Sequence, residues 1–172
     1  AGGTVFCVKH SYPALLEAGI VPWACVIIDP REVDGVSTHG IPRKKLLDRV
    51  HPDTLHLVAA MSNPGVTEHL LDKGARVVGW HADSGTARKI PIGEGQFWIT
   101  GGTCAAFRAV GIAHVLGFRK IKMFGYDLAL DGPPKDPMEK EDRSGKPKYI
   151  FLEIGKEKIP FWTTGELIAA AQ

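Results

Sequence analysis

Short apolar runs that do not alternate with polar residues constrain this chain most. They are Val5-Phe6-Cys7-Val8, Ala24-Cys25-Val26-Ile27-Ile28 and the stretch from Leu55 to Met61. A strand with one wet face alternates apolar and polar side chains. A run that is apolar throughout is buried on both faces, as in a parallel sheet covered by helices. Helical patterns stand between the runs, and strand–helix alternation is the pattern of α/β folds.

The spacing predicts strands over 4–8, 24–28, 55–61, 76–80 and 120–124, with a possible strand end at 97–100. Helices are predicted over 13–18, 42–49, 64–72 and 101–116, each with a Pro start or a Gly stop nearby. A hairpin is expected from Lys148–Ile154 and Lys158–Trp162, and a closing helix from Thr163 to Ala171. The expected fold class is therefore α/β: a Rossmann-like three-layer domain with a mostly parallel sheet and a small C-terminal hairpin and helix. Its 172 residues suit a single domain. Residues 131–146, rich in Pro and charge, read as a long solvated loop.

The formal net charge of +2 and the scattered basic residues give no footprint for a nucleic-acid partner. No stretch approaches the ~18 continuous apolar residues of a membrane helix. The start, Ala1-Gly2-Gly3-Thr4, has no signal-peptide character. Three cysteines without a C-x-x-C pair read as reduced thiols. Together these features point to a cytoplasmic protein with no nucleic-acid or membrane partner.

In open parallel sheets, ligands bind beyond the carboxyl ends of the strands. The polar residues expected there are Asp29, Ser62-Asn63, His81 and Asp83, and Tyr126-Asp127. Asp29 could hold a ribose hydroxyl or a divalent metal, or simply cap its turn. Asp127 carries the same two readings, and the two aspartates together could share a metal. Gly101-Gly102-Thr103 opens a helix, whose unpaired N–H groups favour an anion; a plain turn with a Thr cap is the commoner reading. Ser62 reads as a cap or a ligand contact. His39 and His81 lie in loops near strand ends, while His56 and His114 read as packing residues. The four tryptophans read as structural. Neither a nucleophile elbow nor a Walker-type phosphate loop is present.

Three segments together resemble a known family. They are LLEAGIVPWACVIIDP at 15–30, HLVAAMSNPGVTEHLL at 56–71 and GGTCAAFRAVGIAHVLGFRKIKMFGYDLAL at 101–130. They resemble the 6-hydroxymethylpterin diphosphokinase-like domains, which include the core of motility-associated-factor flagellin glycosyltransferases. The fold of that family is similar to that of bacterial sialyltransferases. The resemblance implies a nucleotide crevice formed by Asp29, Ser62, Asn63, Gly101 to Thr103 and Gly125 to Asp127.

Three expectations follow from it. The first is diphosphoryl transfer from ATP, with Asp29 and Asp127 as catalytic and Mg2+-binding residues and Tyr126 stacked on a ring. The second is transfer of a nucleotide-activated sugar, with His39 or His81 as general base. The third is a non-catalytic nucleotide-binding or assembly module. Full-length members of the family carry an earlier strand and a Gly/Ser-rich turn suited to phosphates, which this chain is expected to lack.

Overall fold

A computed structural model describes residues 3–36, 40–84, 87–102, 104–126, 149–154 and 159–164. The chain forms two compact units, Ala1–Ile121 and Lys122–Gln172. In the first, the main elements run in order β1 (Phe6–Val8), α1 (Tyr12–Glu17), β2 (Ala24–Ile27), β3 (Leu55–Ala59), α2 (Pro64–Asp72), β4 (Arg76–Ala82), β5 (Trp98–Ile99) and α3 (Ala105–Val115). A single 3-10 turn, Arg43–Leu46, precedes β3.

The five strands pair in sequential order, β1-β2-β3-β4-β5, and every pairing is parallel. This is the α/β architecture that the unbroken apolar runs require. All four β2 residues are buried. Alternate side chains of the sheet point to opposite faces, and each face has its own core. Cys7, Cys25, Ile27 and Val58 meet Tyr12 of α1, Leu47, and Val66 and Leu70 of α2. Ala24, Val26, Leu57 and Trp80 meet Ala109 and Ile112 of α3. Fully burying a side chain such as Ile27 or Leu70 contributes roughly 1.5–3 kcal/mol. Two helices therefore cover one face, and α3 crosses the other, packing on β1, β2 and β5.

Local chemistry sets the helix ends. Asn63 caps α2, its Oδ1 accepting from Gly65 N–H at 2.9 Å, and Pro64 fills the first turn. Gly74, at φ 76°, ends α2 while Ala75 N–H returns to Leu70 O at 2.9 Å. Among the described residues no helix is long and apolar enough to cross a membrane. Cys7 and Cys25 lie directly opposite each other on β1 and β2 as free, buried thiols.

The second unit contributes an antiparallel hairpin, β6 (Tyr149–Ile154) with β7 (Ile159–Thr164), as the apolar runs predict. Four expectations from the sequence are corrected. Lys120–Phe124 is not a strand, and Ile121, Met123 and Phe124 are exposed. An apolar run becomes a strand only where a neighbour supplies hydrogen bonds and burial, and its composition cannot supply either. Helix α3 starts at Ala105, not Gly101, because Gly101 and Gly102 have positive φ and break the helix. Thr163 and Thr164 end β7 instead of starting the closing helix, and the rest of that expected helix, 165–171, lies outside the described residues. His114, expected to pack, is exposed.

Candidate active site

The carboxyl edge of the sheet carries two chemically different clusters. The first lies beyond β1 and β2. Lys9 directly follows β1, and Asp29 stands two residues after β2. Both are buried, at 7% and 2% side-chain exposure, and Lys9 Nζ is paired with Asp29 Oδ2. Arg31 closes the carboxylate from the other side. Its Nε donates to Oδ1 at 2.7 Å, its Nη2 to Oδ2 at 3.1 Å and its backbone N–H to Oδ1 at 3.2 Å. Burial by itself would push the Asp29 carboxyl up. The Arg31 and Lys9 contacts outweigh it and hold that carboxyl well below the usual carboxylate range.

The exit of β3 is tied to the same place. Ser62 Oγ accepts from Asp29 N–H at 3.2 Å, and Asn63 N–H donates to Asp29 O at 2.8 Å. The structure thus brings together Asp29, Ser62 and Asn63. Each also has a structural role there. Asp29 anchors two cations, Ser62 ties two strand exits together, and Asn63 caps α2.

The second cluster lies beyond β3, β4 and β5. Here Met61, His81, Ile90, Pro91, Ile92 and Trp98 line a cavity of about 170 Å³. His81 and Trp98 are register partners, and their rings meet edge-on at 5.4 Å. Behind them Arg108, from α3, is 7% exposed and donates to the carbonyls of Ile99 and Asp83, locking the β4 and β5 exits together. Gly101 and Gly111 allow this close packing. A Cβ at Gly111 would lie 2.5 Å from Thr100 O, and one at Gly101, where φ is 135°, would lie 2.9 Å from Phe107 O. The Gly101-Gly102 turn therefore has a packing reason that holds without any anion. It leads into α3, whose Cys104 N-cap makes no side-chain cap bond.

A wider cavity, about 390 Å³, opens beside α2. Its walls include Glu32, Asp34, Glu68 and Asp72, with Lys44 paired to Asp34. Four carboxylates make it a poor host for phosphate.

His39, Thr103 and Asp127 lie outside the described residues. Tyr126 is half-buried in the second unit, one residue after Gly125 at φ 69°. A divalent ion at Asp29 does not fit this donor set, because both carboxylate oxygens already hold cations. No His, Cys, Asp and Glu grouping suited to a metal occurs among the described residues.

Sequence reasoning missed Lys9, Arg31, Arg108 and the site position of Trp98. One signal was available for Lys9: it ends its strand with a charge, much as Asp29 ends the next. Nothing in the linear sequence marks Arg108 as buried.

Neither the curated proteins nor the solved structures yielded a match. The family comparison did: residues 2–132, spanning the whole five-stranded sheet and α3, match the family described as 6-hydroxymethylpterin diphosphokinase MptE-like. With that match over most of its length, the chain belongs to the MptE-like family of 6-hydroxymethylpterin diphosphokinases and their relatives.

Proposed function

We propose that this chain is a nucleotide-dependent transferase domain that passes a diphosphoryl group from ATP to the hydroxymethyl group of a pterin alcohol. The observation that carries the reading is the Lys9–Asp29–Arg31 cluster at the carboxyl ends of β1 and β2, in a chain of this family. Phosphoryl-type transfer needs little covalent help from a protein. It needs positioning and neutralisation of charge. Asp29 orders Arg31, whose side chain is 44% exposed and accessible to a phosphate. Buried Lys9 adds positive potential from beneath.

In the reaction, the pterin hydroxyl oxygen attacks the β-phosphorus of ATP. The bond from that phosphorus to the bridging oxygen breaks, and AMP leaves with the oxygen. The hydroxyl proton passes to solvent or to a nearby base. The N–H groups at the start of α3, after Gly101-Gly102, favour the departing negative charge. Magnesium enters as the counter-ion of ATP, not as an ion held by Asp29.

A second reading rests on His81. If the donor is a nucleotide-activated sugar, the imidazole stands at a strand end where a general base would be needed.

The test is direct. The protein is incubated with magnesium-ATP and 6-hydroxymethylpterin, and AMP is followed by chromatography. AMP formation matched to pterin consumption, and lowered at least about tenfold by Arg31→Ala, is the expected result; tenfold corresponds to about 1.4 kcal/mol of lost stabilisation. No AMP, together with hydrolysis or transfer of a cytidine-linked sugar, would replace this reading with the second. Binding of nucleotide without turnover of either donor would leave a non-catalytic module.

A further inference from the structure

We propose that the cavity beyond β3, β4 and β5 is a subsite for one flat heteroaromatic ring that offers an N–H donor at its edge, with Trp98 as its aromatic wall and His81 Nδ1 as its acceptor. The proposal rests on the transferase reading and names where the ring-bearing reactant sits.

Size comes first. Pockets for whole drug-sized ligands run to about 300–1,000 Å³, and this cavity is about 170 Å³. It takes one ring system and leaves ribose, phosphates or a side arm outside. Its walls come next. Ile90, Pro91 and Ile92 close one side with aliphatic carbon, Met61 adds a polarisable thioether, and Trp98 supplies the ring. Aromatic edges and thioether sulfur favour a flat π-system over an alkyl chain.

The acceptor follows from a chain of hydrogen bonds. Gly93 N–H donates to Gln96 Oε1 at 2.9 Å. A backbone N–H needs an acceptor, so this contact fixes which way the Gln96 amide faces. The same Oε1 lies 2.8 Å from His81 Nε2. An amide oxygen cannot donate, so Nε2 carries the proton. In the neutral imidazole, that tautomer leaves the lone pair on Nδ1, where it can only accept. A ring with an amino or imino edge satisfies it; a ring with only acceptors does not.

Ala60 and Met61 line the cavity, and Ser62, the next residue, accepts from Asp29 N–H. The exit of β3 thus runs from the ring subsite to the charged cluster. A ring seated in the cavity directs its hydroxymethyl or ribose arm along that exit.

The experiment uses probes without phosphate: 6-hydroxymethylpterin, guanosine, adenosine and cytidine, titrated calorimetrically into the full chain. At least one is expected to bind. Trp98→Ala and Ile90→Glu are each expected to weaken it about tenfold or more, equivalent to about 1.4 kcal/mol. Ile90 is 64% exposed, so its replacement tests the pocket without disturbing the core. His81→Phe keeps an aromatic side chain and removes the acceptor. It is expected to weaken a probe with a free N–H edge about fivefold, and to leave its N-methylated counterpart unchanged. Affinities unchanged by both Trp98→Ala and Ile90→Glu, or no binding of any probe to the folded protein, would overturn the subsite. AMP release in the same preparations separates the two proposals. Release that is indifferent to these variants removes the subsite alone, while probe binding without release removes the transferase reading alone.

Discussion

The two ends of one sheet edge solve different problems. Beyond β1 and β2, a buried carboxylate holds two cations, and nearly every polar group is engaged. Beyond β4 and β5, aromatic and aliphatic residues surround an open cavity, and Gln96 holds the His81 imidazole through Nε2. The charged end is part of what holds the domain together. The aromatic end is held from behind by Arg108 and by two glycines, so its own side chains carry little of the fold. The first arrangement is fixed by its own ion pairs, and the second leaves a cavity of about 170 Å³.

The largest expected effect breaks this contrast at its charged end. Asp29→Ala strands Lys9 as a buried, unpaired charge, and losing one partner of a buried pair typically costs about 3–5 kcal/mol. Urea denaturation is expected to show a loss of that size, whereas half-buried Trp98→Ala should cost clearly less. Equal losses would mean that the two ends bear the fold alike.

Gly111→Ala comes next. A methyl group 2.5 Å from Thr100 O forces β5 and α3 apart, and overpacking of this kind costs about 1–3 kcal/mol. The expected outcome is a lower melting temperature together with weaker binding of the ring probe, since the β5 exit forms the cavity wall. A variant as stable as the parent would show that α3 can give way without cost.

The smallest effect is in pH dependence. Asp29 has its folded pKa below its unfolded value, so the unfolded chain takes up the proton more readily. Its contribution is present above about pH 4, the ordinary carboxylate value, and is lost as pH falls. His56 behaves differently. Burial beside Tyr12 lowers its pKa, and the nearby backbone of Arg76 and Thr54 offsets only part of that. Its contribution is present above about pH 6.5 and declines as pH drops below that. Melting curves from about pH 7.5 to about pH 3 should therefore weaken in two stages. Asp29→Asn should flatten the lower stage only, and His56→Leu the upper one only. A single stage removed by neither substitution would count against both assignments.

The parallel sheet was legible in the sequence because burial on both faces leaves an unbroken apolar run, and β2 is buried at every residue. Helix α2 was legible to the residue, since Asn63-Pro64 and Gly74 bracket it. The strand expected at Lys120–Phe124 failed because β-pairing depends on a neighbour that no local pattern encodes. Asp29, Ser62 and Asn63 were rightly placed at one edge, but their partners were not foreseen. Lys9 and Asp29 stand 20 residues apart, and Asp83 and Arg108 stand 25 apart.

The sequence by itself determined the α/β class, which polar residues end the strands, and the family, because periodicity, turn residues and motif spacing are local properties. Only the tertiary structure decided the state of each group there. A carboxylate free to bind a metal and one already filled by cations read identically along the chain. What separates them is which distant side chains the fold brings within hydrogen-bonding reach, and how much water it leaves between them.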